Sequence, residues 1–181
     1  MDLIIRDVAP ADLPAISAIY AAEVRDHVNT YEYDAPDEAE MQRRMQGIVE
    51  AGYPCLVAEV DGQLLAYAYA SSYRARAGYR YTVENSVYVA AGQQGHGIGT
   101  ALLERLIAEC EARGYRQMIA VIGEPTNSAS VRLHEKSGFQ LIGVFRGIAW
   151  KHGRWLDTVQ MQRALGNGDH DAPADETLQP L

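Results

Sequence analysis

The chain has 181 residues, a formal net charge of −8, 48% hydrophobic residues and 22% charged residues. That length suits one domain with a full apolar core and not two. The acidic balance speaks against nucleic acid as the main partner, because phosphate binding needs a basic surface, and no run approaches the roughly 18 apolar residues of a membrane span.

In chain order, residues 3–8 read as a short strand. A helix follows, with Asp12 as its expected N-cap, Pro14 in the first turn, and Ile16, Ile19 and Tyr20 at helical spacing. Residues 27–36 break the pattern. A second helix runs from about Asp37, with Met41, Met45, Ile48 and Val49 on one face and Gly52 as its stop. Residues 54–60 and 64–71 are strand-like runs joined by Asp61-Gly62, a tight-turn signal. A basic, tyrosine-rich loop at 73–81 leads into a strand over 82–89.

After a glycine-rich turn at 92–99 comes a helix from about Thr100, whose Leu102, Leu103, Leu106, Ile107 and Cys110 form one stripe and which Gly114 ends. Residues 117–122 are nearly continuous in apolar side chains, as a central strand is. Residues 128–137 read as a helix, and 139–145 and 156–162 as the last two strands. The order β-α-α-β-β-β-α-β-α-β-β predicts an α/β domain over 1–165 with a mixed sheet. From Gly166 the chain turns to Gly, Pro, Asp and Glu without Lys or Arg, so 166–181 reads as an acidic disordered tail. The first eight residues set Asp2, Arg6 and Asp7 around a short apolar run, unlike a secretion signal. Cys55 and Cys110 fall in apolar element positions and read as buried reduced thiols, which points to a cytoplasmic protein without metal.

The turn Gln94-Gly95-His96-Gly97-Ile98-Gly99-Thr100 lies between a strand and a helix. Successive N–H groups there, at a helix N-terminus, suit a diphosphate, and glycines let the backbone approach it. The same spelling also serves turns that are glycine-rich for steric reasons alone. A P-loop needs a lysine where this turn closes Gly99-Thr100-Ala101. A dinucleotide fingerprint needs a small residue at Thr100 and should follow the first strand of a parallel unit, not the fourth. Neither fits.

Gln94-Gly95-His96-Gly97-Ile98-Gly99 resembles the acetyl-CoA signature of the GNAT superfamily of N-acetyltransferases, Gln/Arg-x-x-Gly-x-Gly/Ala, and residues 127–139 resemble its second signature. The likeness covers about residues 3–163. The Thr82-Val83-Glu84 run, the Leu133-His134-Glu135 triplet, and Lys151-His152-Gly153-Arg154-Trp155-Leu156-Asp157 are similar to the phosphinothricin/methionine-sulfoximine branch. This resemblance implies a mostly antiparallel GNAT sheet flanked by helices, acetyl-CoA as donor, a homodimer, and glutamate-like amino acids as acceptors. It also implies that Val87, Tyr88 and Val89 follow the pantetheine arm, that Gly95, His96, Gly97, Ile98, Gly99 and Thr100 surround the pyrophosphate, and that Asn127 and Lys136 touch CoA. As a plain helix N-cap, Asn127 needs no cofactor to explain it.

Acetyl transfer needs a neutral amine and a route for its proton. Glu84, on the strand leading into the cofactor segment, is the expected base. A backbone N–H of Val87 or Tyr88 is the expected oxyanion donor. His134 stands where many GNAT enzymes carry tyrosine; an imidazole there can donate to the departing thiolate or accept the amine proton. Arginine pairs bidentately with carboxylates and phosphinates, so the acceptor's acidic groups are expected at Arg74 and Arg76, with Ala75, Tyr31, Asn85 and Ser86 completing the acceptor site. A small-molecule amine is thus the expected substrate. Acetylation of a protein N-terminus, a lysine or a polyamine, and a silent acyl-CoA-binding module, are the alternatives.

Overall fold

The computed structural model describes residues 3–124 and 127–173. Strands β1 (Leu3–Asp7), β2 (Cys55–Val60), β3 (Gln63–Ser72), β4 (Thr82–Val89), β5 (Gln117–Gly123), β6 (Gln140–Lys151) and β7 (Arg154–Ala164) form one sheet in the order β1-β2-β3-β4-β5-β7-β6. All neighbours are antiparallel except β4 and β5. Helices α1 (Leu13–Asp26) and α2 (Glu38–Glu50) cover one face, and α3 (Ile98–Ala112) and α4 (Ser128–Lys136) the other. This is the predicted α/β order, with short 3-10 turns added at Pro10–Asp12 and Ala77–Tyr79.

The two faces follow from the alternation of side chains along the strands. On β3, Ala66, Ala68 and Ala70 form a low bed for the buried Leu102, Leu103 and Leu106 of α3, while Tyr67 joins the cluster under α1 and α2. Each buried leucine of that stripe is worth about 1.5–3 kcal/mol of burial. The Asp61-Gly62 turn is left-handed at both residues (φ 50° and 79°), as a two-residue hairpin requires.

Three expectations need correction. Asp12 stands at the N-cap position of α1, but its side chain accepts no capping hydrogen bond from that helix. Its carboxylate instead accepts from Arg6 Nη1 (2.7 Å), Arg6 Nη2 (2.8 Å) and the Ala9 N–H (2.7 Å), and Arg6 holds it below the usual carboxylate range. The last hairpin is longer than expected: β6 runs to Lys151 and β7 starts at Arg154, joined by His152 (φ 49°) and Gly153 (φ 74°). β6 runs past the expected end at 145 through Arg146 and Gly147 by way of a register shift between Phe145 and Ala149. Finally, the segment after β7 begins as ordered turns. Gly168 O accepts from Arg116 Nε (2.7 Å), Leu165 N–H donates to Arg116 O (3.0 Å), and Asp171 pairs with the Arg116 guanidinium. The rest of the expected tail, residues 174–181, lies outside the described residues.

Cys55 and Cys110 are both buried and free. Among the described residues no helix is long and apolar enough to cross a membrane, and no cluster of three or more His, Cys, Asp or Glu could hold a metal ion.

Candidate active site

β4 and β5 pair in parallel from Thr82↔Gln117 to Asn85↔Ala120 and then part. Beyond that point β4 stays bonded to β3 as far as Val89↔Ala66, and β5 to β7 as far as Gly123↔Thr158. The sheet therefore opens as a wedge between Ser86, Val87, Tyr88 and Val89 on one side and Val121, Ile122 and Gly123 on the other. A cleft of about 610 Å³ fills the wedge and continues to the start of α3 and along α4. Open strand edges offer amide and carbonyl groups to a ligand that carries amides of its own.

At the cleft's end the glycine-rich turn meets α3. Gly92, Gly95 and Gly97 all have positive φ (78°, 86° and 83°), and Gly97 is the residue before the helix. The helical ladder begins with Ala101 N–H donating to Gly97 O (3.0 Å). The N–H groups of Ile98, Gly99 and Thr100 thus precede it without intrahelical partners. A Cβ added at Gly95 or Gly97 would meet nothing within 4 Å, so the space over the turn is open. Arg132 and Lys136 of α4 line the same cleft and bring positive charge to it. Free N–H groups, open space and two cations fit a diphosphate. Asn127 also lines the cleft. It caps α4 by accepting from Ser130 N–H (3.2 Å) and donates to Asn29 Oδ1 (2.8 Å).

Deeper in, Glu84 and Ser86 face the α1–α2 side, where Ser71 pairs with Glu84 and Tyr69 with Ser86. Glu84 lines the cleft and is half-buried, and that burial raises its pKa above the ordinary carboxylate value. No ion pair joins it to a cation among the described residues. Tyr69 lies opposite Ser86 across the β3–β4 pairing, and burial raises its pKa. Asn85 points the other way and is buried: its Nδ2 donates to Ile119 O (3.0 Å), and its Oδ1 lies 3.0 Å from His134 Nε2. His134 Nδ1 lies 2.8 Å from Ser130 O. Both ring nitrogens therefore face acceptors, and only the imidazolium satisfies both. Burial pulls the other way and lowers the His134 pKa.

The acetyltransferase (GNAT) family matches residues 16–139. The chain belongs to that family. Among relatives of this GNAT chain, a phosphinothricin N-acetyltransferase of Alcaligenes faecalis is 49% identical over 169 residues, covering 93% of this chain and 86% of the relative. An L-methionine sulfoximine/L-methionine sulfone acetyltransferase of Pseudomonas aeruginosa is 40% identical over 166 residues, 91% of this chain and 96% of the relative. The solved structure of a GNAT phosphinothricin acetyltransferase from Sinorhizobium meliloti in complex with acetyl-CoA superposes with a TM-score of 0.93 at 45% identity, over 97% of this chain and 95% of that one.

Of the residues the sequence singles out, Tyr31, Glu84, Asn85, Ser86, Val87, Tyr88, Val89, Gly95, Gly97, Gly99, Thr100, Asn127, His134 and Lys136 line this cleft. Ile98 does not: its side chain is 3% exposed and belongs to the core beneath α3, so only its N–H remains for a ligand. The His96 ring is exposed, with Nδ1 3.3 Å from Gln93 O, and lies outside the cleft. Asn85 is taken up by Ile119 and His134 rather than left for an acceptor. Arg74, Ala75 and Arg76 sit on an exposed loop outside the cleft, with the Arg74 guanidinium 5.1 Å from the Tyr73 ring centre and 5.9 Å from that of Tyr79. Sequence reasoning missed Arg132, Tyr69 and Asn29, all on the cleft wall. Arg132 was within reach of it, four residues before Lys136 on one helix face. Tyr69 and Asn29 are brought in by strand pairing and loop packing, which leave no local signal.

Proposed function

We propose that this GNAT chain is an acetyl-CoA-dependent N-acetyltransferase acting on the primary amine of a small, amino-acid-like acceptor of the phosphinothricin or methionine sulfoximine type. The observation that carries it is a half-buried carboxylate, Glu84, without a cationic partner among the described residues, in the same cleft as a helix start suited to a diphosphate. The relatives named above supply the acceptor class.

Acetyl-CoA, when bound, supplies an acetyl thioester. The N–H groups of the turn at 95–100, with Arg132 and Lys136, hold its phosphates. The open edge at Val87, Tyr88 and Val89 would hold the pantetheine amides, and a backbone N–H of Val87 or Tyr88 would stabilise the oxyanion formed at the thioester. Asn127 caps α4 at the rim. On the opposite side Glu84 takes the proton of the incoming ammonium. Its raised pKa brings it nearer to the amine it must deprotonate, which eases that transfer. His134 is the second proton-handling group. A second proton on its ring turns whichever contact the neutral tautomer leaves as two opposed acceptors, that with Asn85 Oδ1 or that with Ser130 O, into a hydrogen bond, which offsets part of the burial cost.

Arg74 and Arg76 follow Ser71 and Ser72, which pair with Glu84 and Val83, so they stand at the Glu84 end of the sheet as cations for the acceptor's acidic groups. A polyamine acceptor would instead call for acidic residues there. The chain works as a cytoplasmic homodimer. In support, β6 is an edge strand that exposes Leu141, Ile142, Phe145, Ile148 and Trp150, an apolar row that a second copy would cover.

Arg74→Ala and Arg76→Ala test the acceptor class. Loss of one charge-assisted contact is worth about 1.5–3 kcal/mol, so the acceptor KM should rise roughly 10- to 100-fold while the acetyl-CoA KM stays within about twofold. Steady-state kinetics with normal acceptor KM values in both variants would reduce the two arginines to surface charge and remove the acid-bearing acceptor from the proposal.

A further inference from the structure

Lys151 is 1% exposed, an unusual place for an ammonium group. It ends β6 immediately before the His152-Gly153 turn, inside the run 151–157 that the cleft itself does not use. Its Nζ donates to His27 O (2.9 Å) and Thr30 O (2.8 Å). No backbone N–H among the described residues donates to either carbonyl. The loop between α1 and α2 therefore depends on this side chain for two of its polar groups. Burial lowers the Lys151 pKa, and the nearby charges of Glu23 and Glu32 oppose that.

The loop so held is a wall of the cleft. Asn29, Thr30 and Tyr31 all line it. The same hairpin grips the loop twice more: the Tyr31 hydroxyl meets Thr158 Oγ1 of β7, and the Tyr33 hydroxyl donates to Trp150 O of β6. The loop also crosses the end of β5 so closely that a Cβ on Gly123 would lie 2.4 Å from Val28 O. On its far side Asn29 donates to Glu23 Oε2 (2.7 Å) and accepts from Asn127 Nδ2 (2.8 Å). Of these anchors only Lys151 brings a full charge to the loop backbone, and it reaches two carbonyls three residues apart.

We propose that Lys151 is a positioning residue for the acceptor. It fixes the 27–31 loop so that Asn29, Thr30 and Tyr31 keep the acceptor half of the cleft in shape, while the CoA half is held by α3 and α4 and meets the loop at the Asn127–Asn29 hydrogen bond. This rests on the N-acetyltransferase reading for the identity of the acceptor, but the state of the loop is measurable without any acceptor.

Lys151→Met keeps the length of the side chain and removes its donors; Lys151→Gln is milder and leaves a shorter, neutral NH2 group for the carbonyls. In either folded variant, amide exchange of the 27–33 segment should quicken by about tenfold or more while β2–β5 stay protected. The acceptor KM should rise about tenfold, as loss of a charge-assisted hydrogen bond predicts. At saturating acceptor kcat should stay within about threefold, and acetyl-CoA affinity by calorimetry within about twofold, both well below that loss. Unchanged exchange in the loop together with an unchanged acceptor KM overturns the proposal. So does loss of protection throughout the sheet in both variants, which would make Lys151 a support of the whole fold. If wild-type protein acetylated no amino acid, the exchange result would still decide whether Lys151 fixes the loop.

Discussion

Glu84→Gln lowers kcat by about 100- to 10,000-fold, the span of general-base contributions, and leaves acetyl-CoA affinity nearly unchanged. The amide keeps the size of the side chain and cannot accept the amine proton. Two further consequences follow from the raised pKa of Glu84, which comes from burial. The acidic limb of the wild-type kcat/KM profile, set by the free enzyme's base, should lie above the ordinary carboxylate range and vanish in the variant. Stability should move the other way. A carboxyl whose pKa is raised on folding favours the fold while protonated, and that contribution is lost as pH rises through its folded value. At pH 8 the ionised Glu84 is a cost, so Glu84→Gln should melt at a higher temperature than wild type, with the gap closing as pH falls below the unfolded carboxyl's pKa. A variant that keeps more than about a third of wild-type kcat, far above what loss of a base leaves, would remove Glu84 from the chemistry.

Gly97→Val should weaken acetyl-CoA binding by about tenfold or more, the loss of about one phosphate contact. The added side chain enters the open space over the turn where a diphosphate would lie. Because Gly97 has φ 83°, the substitution also costs stability, about 1–2 kcal/mol for a left-handed residue, or a Tm lower by about 2–8 °C in a domain of this size. Gly92→Val separates the two effects. Gly92 has nearly the same φ, 78°, and equally open surroundings, but does not line the cleft. It should lose comparable stability and no affinity. Equal acetyl-CoA affinity in both folded variants, measured by calorimetric titration, would contradict the phosphate cradle.

What the sequence made legible was what local chemistry decides. The α3 stripe, the left-handed Asp61-Gly62 turn, the start of α2 at about Asp37 and the glycine turn before α3 all stand where their residue types predict. What stayed hidden depends on partners distant along the chain. Asp12 has the right chemistry for a cap, but Arg6 and the Ala9 N–H claim its carboxylate first. The length of β6 stayed hidden because its continuation past Phe145 rests on pairing with β7 across a register shift. Motif and position single out Gly95, Gly97, Gly99 and Glu84, and all four line the cleft. The burial of Ile98, the capture of Asn85 by His134 and Ile119, and the seat of Lys151 under the 27–31 loop are products of packing that no spacing announces.

The most direct test of the central claim is release of free CoA by the purified protein from acetyl-CoA, scored as kcat/KM over a panel of amines. L-Phosphinothricin, L-methionine sulfoximine and glutamate stand against spermidine and an N-terminal peptide. The account predicts acceptor-dependent CoA release with the two glutamate analogues, at least about tenfold above spermidine and the peptide, the preference one charge-assisted contact supports. Acetyl-CoA binding without CoA release for any amine, or turnover confined to spermidine or the peptide, would contradict it.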